Sequence, residues 1–168
     1  WYDRFTRSRF DASFDPKCSI IVPCKGVPKD LEKNLEAFLE LEYTNYEVVY
    51  VTESDSDAAV PVIQKIIERH KNAKIAFAGL SMTCAQKNYN LLAALKITDA
   101  PDVYVFADSD IRPAKNWLKE LVTPLSSEKV AVTSGFRWLH AVNGTIGELT
   151  HSYVNVFMYV CFVTACSF

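Results

Sequence analysis

The sequence predicts an α/β domain: a mostly parallel sheet with helices on both faces. Short β-rich apolar runs alternate with segments of helical period, and glycine, proline and asparagine punctuate the joints between them. The runs also end in polar or charged residues, which a parallel sheet gathers at one edge. The clearest case is Val103-Tyr104-Val105-Phe106-Ala107, which ends in Asp108-Ser109-Asp110 and is closed by Pro113. It reads as a buried strand delivering two carboxylates to its carboxyl end.

In chain order, Cys18-Ser19-Ile20-Ile21-Val22 is the first strand, stopped by Pro23, with Gly26 and Pro28 in the loop beyond. From Lys29 the period becomes helical: Leu31, Leu35, Phe38 and Leu39 share a face, while Glu32, Lys33 and Glu36 point away. Thr44-Asn45 turns the chain into a second strand, Tyr46 to Thr52, which ends at Glu53, Asp55 and Asp57. A second helix sets Val60, Ile63, Ile66 and Ile67 inward. Lys74 to Ala78 is a third strand, ending at Gly79. A third helix, from Ala85 to Lys96, buries Leu91, Leu92 and Leu95 and is ended by Asp99 and Pro101. After the strand with the two aspartates come a helix through Trp117, Leu118 and Leu121 and a further strand, Val130-Ala131-Val132-Thr133.

Past Gly135 the character changes. Residues 136–147 lack a clear period, and the sixteen residues from Tyr153 are apolar apart from Asn155, Thr164, Ser167 and tyrosines. Sixteen falls short of the roughly 20 needed to cross a bilayer. The stretch reads either as an interfacial helix or as a core helix whose neighbours are missing. At the other end, Trp1, Tyr2, Phe5, Phe10 and Phe14 interleave with Arg4, Arg7 and Arg9. Residues 1–17 therefore read as a juxtamembrane-like segment or as an ordinary terminus.

Composition narrows the function. A chain of 168 residues holds one proper core, and 49% apolar with 23% charged residues excludes a disordered chain. A net charge of -2 supplies no basic field, so no nucleic-acid partner is expected. Cys18, Cys24, Cys84, Cys161 and Cys166 are odd in number and lack metal-ligand spacing, which suits free thiols in a reducing compartment. His140 and His151 have no partner at ligand spacing and read as structural or solvated. Asn143-Gly144-Thr145 fits a glycosylation acceptor, but a reducing-side domain would leave it unmodified.

Asp108 and Asp110 carry the chemistry. Residues i and i+2 of a strand face the same side, so the two carboxylates repel each other unless a cation neutralises them. A divalent ion shared with phosphate oxygens is the simplest neutraliser. The plainer reading is a solvated turn in which Asp110 caps the helix opened near Pro113. On the same edge, Glu53 can accept a hydrogen bond from a nucleoside, whereas Asp57 reads as a solvated loop residue. Lys87 and Asn90 open the third helix, where a cation and a helix amino terminus both suit a diphosphate. Lys25, directly after the first strand, has similar standing.

Together these stretches resemble the inverting GT-A glycosyltransferases of the processive and lipid-acceptor type, above all the ceramide glucosyltransferases and their bacterial relatives. The carrying residues are Pro23-Cys24-Lys25-Gly26-Val27, Asn34-Leu35-Glu36-Ala37-Phe38, Leu41-Glu42-Tyr43, Tyr46-Glu47-Val48, Gln86-Lys87-Asn88-Tyr89-Asn90-Leu91 and Asp108-Ser109-Asp110-Ile111-Arg112. The resemblance implies a UDP-sugar donor, a divalent cation (Mg2+ or Mn2+) and a lipid acceptor. It also implies a membrane-associated enzyme with its catalytic domain on the cytoplasmic side. Donor binding then falls to Pro23, Lys25, Glu53, Asp55, Lys87, Asn90, Asp108, Ser109 and Asp110, with Asp108 and Asp110 as the metal pair. Glu53 replaces the family's more usual aspartate, so Asp55 is a second candidate for its role.

The family's general base and its Arg-Trp motif are expected beyond the end of this chain; Arg137-Trp138 comes too early and lacks the preceding pattern. Residues 18–135 are thus expected to be an incomplete GT-A half that binds the nucleotide sugar. Residues 136–168 would begin an acceptor or membrane-contacting region. Two other classes compete. A haloacid dehalogenase-type phosphatase also sets Asp-x-Asp after a strand, but at its first strand and before Thr or Gly. A catalytically incomplete binding or scaffold relative is the non-enzyme alternative.

Overall fold

The computed structural model describes residues 10–135 and 145–165. Readings on residues 1–9, Arg137-Trp138, His140, Asn143-Gly144 and Cys166 lie outside the described residues, as does the side chain of Cys161. The chain divides into two compact units, Trp1–Ala131 and Val132–Phe168.

In the first unit β1 (Cys18–Pro23), β2 (Tyr46–Thr52), β3 (Ala73–Phe77) and β4 (Val103–Phe106) form a four-stranded sheet. They alternate with α1 (Leu31–Ala37), α2 (Val60–Arg69) and α3 (Gln86–Leu95), and α4 (Trp117–Val122) and a 3-10 turn at Thr123–Ser126 follow. Every pairing is parallel and the order is β3-β2-β1-β4. The chain steps outward from β1 to β3 and then turns back to lay β4 on the other side of β1. Right-handed crossovers running in opposite directions put their helices on opposite faces. Accordingly α1 and α2, with α4, cover one face and α3 covers the other.

The packing follows the strands' period of two. Cys18, Ile20, Val22, Val48 and Tyr50 face the side where Leu31, Leu35, Phe38, Ile63, Ile66 and Leu118 are buried. Ile21, Val49, Val51 and Ala76 face Ala94, Leu91 and Leu95 of α3. The short α1 is held by packing more than by length. Leu35 and Phe38 are fully buried, Phe38 meets Trp117 edge-on at 6.0 Å, and Tyr50 donates its hydroxyl to the Leu35 carbonyl at 2.8 Å.

At the amino edge of the sheet Glu47 is buried. It accepts from Ser19 Oγ at 2.6 Å and the Asp99 N–H at 2.7 Å, and it pairs with Lys74 at 2.7 Å. Burial alone would raise its pKa, but Lys74, Ser19 and the Asp99 amide together hold the carboxyl below its ordinary value. Lys17 in turn bonds to Asp99 at 2.7 Å. Among the described residues Cys18, Cys24 and Cys84 are free thiols. Burial pushes Cys18 up to about 11 and Cys24 up to about 12.

Several sequence expectations require correction. Residues 130–133 form no strand: Val130 N–H bonds back to Ser127, Val132 is 83% exposed, and no described strand pairs with them. Their β-branched residues lack the neighbour on which strand formation depends. Among the described residues β4 is an edge strand, not one buried on both faces. Val105 is buried, but Tyr104 and Phe106 are about half exposed on the α3 side, because α3 packs over β1, β2 and β3. Leu92, expected inside, is 55% exposed, and Asn90 and Ala94 are the buried residues of α3. No helix opens at Pro113; α4 starts at Trp117 with Asn116 at its N-cap position, so Asp110 is not its cap.

In the second unit α5 spans Thr145–Ala165, starting earlier than the apolar run suggested. Ile146, Leu149, Tyr153, Val156, Phe157, Met158 and Tyr159 are exposed on it. Among the described residues no helix is long and apolar enough to cross a membrane.

Candidate active site

The strand order reverses between β1 and β4, and in open parallel sheets the crevice outside the carboxyl ends at such a reversal is where ligands bind. The loops after β1, β2, β3 and β4 all emerge at this edge. They carry Pro23 and Lys25, Glu53 and Asp55, Gly79 and the start of α3, and Asp108 to Asp110 respectively.

The loop after β1 is tied across to the loop after β2. Cys24 N–H bonds to the Val51 carbonyl at 2.8 Å, and Gly26 N–H bonds to Asp57 Oδ1 at 2.8 Å. Gly26 has φ 63, a left-handed conformation in which a side chain is strained. Asp57 Oδ1 also accepts from the Ala59 N–H at 2.8 Å, an Asx turn entering α2. Asp57 is therefore a half-buried brace between two loops rather than a solvated residue. Lys25 Nζ stands 3.9 Å from Glu53 Oε2, and Gly79 N–H holds the Glu53 carbonyl at 2.8 Å. Asp55 is exposed in the same loop.

At the start of α3, Gln86 organises the loop before it. Its amide nitrogen donates to Gly79 O at 2.8 Å and to Asn90 Oδ1 at 2.7 Å, and its oxygen accepts from Ser81 N–H at 2.8 Å. Asn90 is 5% exposed, so its side chain serves this network and lies behind the surface. Lys87 reaches outward and pairs with Asp108 Oδ1 at 2.5 Å.

The loop after β4 starts with Ala107 N–H bonded to Ile21 O at 3.1 Å, and Ile111 N–H closes a turn on Asp108 O at 3.4 Å. From α1, Asn34 accepts Arg112 Nε and Nη2 at 3.2 and 3.0 Å and donates to Ser109 O at 3.4 Å. Sequence reasoning passed over Gln86, Asn34 and Arg112 as contributors and misread Asp57. A signal existed for Asn34. It lies three residues after Leu31 and four before Phe38, a polar group on an apolar helix face.

The edge thus presents Lys25, Lys87 and Arg112 with several carboxylates around a strand-order reversal. Such an arrangement suits a diphosphate together with a metal ion.

The fold is that of the GT-A glycosyltransferases. The mannosyltransferase PcManGT from Pyrobaculum calidifontis, solved with GDP-Man and Mn2+, superposes with a TM-score of 0.61 at 23% identity over 76% of this chain and 39% of that one. S. aureus TarS 1-349 in complex with UDP-GlcNAc superposes with a TM-score of 0.50 at 26% identity, over 62% and 29%. The chain belongs to glycosyl transferase family 21, whose family model matches residues 2–167. It is 32% identical to ceramide glucosyltransferase 1 of Caenorhabditis elegans over 119 residues, 69% of this chain and 25% of that protein. It is 29% identical to ceramide glucosyltransferase 3 of the same organism over 122 residues, 71% and 26%. The chain spans about a quarter of the length of these relatives.

Proposed function

We propose that the chain is the donor-binding half of an inverting enzyme that transfers a hexose, glucose, from a UDP-sugar to a lipid hydroxyl such as that of ceramide. The observation that carries the reading is the Lys87–Asp108 pair at the strand-order reversal, with Lys25 and Glu53 on the neighbouring loops. The ceramide glucosyltransferase relatives support the lipid acceptor and glucose. UDP-GlcNAc in the TarS complex supports a UDP-linked donor. Family membership favours transfer over phosphoester hydrolysis or a purely structural role.

Asp108 fits a hard divalent cation, Mg2+ or Mn2+, because its carboxylate already accepts positive charge from Lys87 and Asp110 follows two residues on. Among the described residues no three His, Cys, Asp or Glu side chains form a ready cage, so diphosphate oxygens and water would complete the shell, as such ions favour. When bound, the cation would neutralise charge developing on the departing diphosphate.

The chain's own residues do the rest. Glu53, with Asp55 beside it, accepts hydrogen bonds from the nucleoside, and Pro23 and Lys25 line its approach. Lys87, at the amino end of α3, turns from Asp108 to the diphosphate, where the helix dipole adds to its charge. Asp110 would join Asp108 in holding the cation, Ser109 contacts the donor, and Asn90 acts by holding Gln86. The acceptor hydroxyl attacks the anomeric carbon from the face opposite the diphosphate, and its proton goes to a base that we assign to no residue of this chain. We assign the reaction to a membrane surface, with this domain on the cytoplasmic side. The lipid acceptor, the exposed apolar residues of α5 and the free thiols support that location.

Calorimetric titration of the chain with UDP, with and without Mn2+, tests the reading. UDP is expected to bind at least about tenfold more tightly with the metal than without it, and Asp110→Asn is expected to remove most of that gain. Metal-dependent binding that survives Asp110→Asn unchanged would remove the metal assignment.

A further inference from the structure

We infer that Asn34 and Arg112 are positioning residues for the Asp108–Asp110 loop, together setting how its carboxylates meet a divalent cation. The inference rests on the proposed donor site and extends it to residues that touch neither donor nor metal.

The loop bearing the two carboxylates is secured at its start by the β1 ladder, through the Ala107 amide, and by its own turn, through Ile111. Neither contact reaches Ser109, the residue between the aspartates. Asn34 does, since its amide nitrogen points at Ser109 O while its oxygen takes two donors from Arg112. Only this orientation of the amide satisfies both neighbours, because a flipped amide would face an N–H toward the guanidinium and an oxygen toward a carbonyl. Arg112 therefore locks the amide, and the locked amide grips the loop.

The grip is as firm as its anchor. Asn34 is 7% exposed, and its helix is fixed by the fully buried Leu35 and Phe38. A buried amide without partners would cost far more than the bonds contribute, so the rotamer has little freedom. Partners of this kind, one step removed from the ion, typically change metal affinity by about 10–100-fold when lost.

Sign separates this role from simple electrostatics. Removing the Arg112 charge near two aspartates would by itself strengthen cation binding. Loss of a positioning residue weakens it.

The test uses the full 168-residue chain with UDP, following Mn2+ binding by loss of the free-ion EPR signal, beside UDP titrations without metal. Asn34→Leu, which keeps the branched shape without the polar atoms, and Arg112→Ala, at an exposed position that spares the core, are both expected to weaken Mn2+ binding about tenfold. Metal-free UDP binding should be unchanged, and the double variant should lose little more than either single one, because the two residues act as one device. Unchanged or tighter Mn2+ binding in Arg112→Ala overturns the inference. So does an equal loss of metal-free and metal-dependent UDP binding, which would mean that Asn34 merely holds the fold. Failure of the unaltered chain to bind UDP with Mn2+ overturns the donor site itself and this inference with it.

Discussion

Lys87 Nζ lies 2.5 Å from Asp108 Oδ1, so the start of α3 and the end of β4 meet in a direct ion pair. Both side chains are substantially exposed, at 59% and 43%, and such pairs contribute little to stability. The contact is therefore readily exchanged. A diphosphate can take the lysine while a cation takes the aspartate.

Exchange gives Lys87→Ala two effects of opposite sign. Mn2+ alone should bind severalfold more tightly, since a competing positive charge has gone, while UDP in the presence of Mn2+ should bind about tenfold more weakly. Paired titrations of the variant check both. Weakening of both would show that Lys87 orders the loop.

Asp57 braces two loops through two backbone N–H groups. Asp57→Ala leaves both donors without this partner and should cost about 1–2 kcal/mol in urea unfolding. UDP affinity should drop further than stability accounts for, because the Gly26 turn beside Lys25 loses its tether. Asp57→Asn, which keeps an acceptor oxygen, should restore most of both.

The core on the α1 side should depend more on packing than on its buried hydrogen bond. Phe38 is fully buried against Trp117, and Phe38→Ala should destabilise the chain by about 3–5 kcal/mol. Tyr50→Phe removes only the donor to Leu35 O and should cost about 1 kcal/mol. Chemical denaturation of both variants checks the order.

Acid should act through Glu47, whose folded pKa lies below the ordinary 4.5. A depressed carboxyl contributes stability that is fully present above the unfolded value and is lost as pH falls through the folded one. Glu47→Gln should thus be less stable than the parent at pH 7 by about 1 kcal/mol, with Lys74 half solvated. The gap should close as pH falls through the folded pKa, where the parent carboxyl takes up its proton. Thermal melts across that range measure it.

Much of this was legible in the sequence, for reasons that can be named. Short β-rich apolar runs placed β1 and β2 nearly to the residue, because both strands are buried on both faces, and the helical spacing of Val60, Ile63 and Ile66 marked the buried face of α2. Asp108 and Glu53 were legible at the carboxyl edge because charged residues directly after apolar strands emerge there, and Lys87 because it opens the helix that follows β3. Pairing partners were less legible. Val130 to Thr133 has strand composition without a described strand beside it, and Tyr104 and Phe106 are as apolar as an interior strand while lying on an edge of the described sheet. Nor does local pattern reveal contacts between distant segments. Asn34 and Arg112 are 78 residues apart, and Gly26 and Asp57 are 31 apart. Only the β1–β4 adjacency and the β1–β2 loop crossing bring these pairs together.

The two edges of the sheet bear charge in different settings, and added salt should tell them apart. Glu47 and Lys74 hold a contact whose carboxylate side is only 9% exposed, whereas Lys25 and Lys87 carry theirs in open water at 82% and 59%. Counter-ions screen exposed charges within about a Debye length and reach buried ones poorly. Rising ionic strength should therefore quieten the attraction for an anionic ligand well before it loosens the fold.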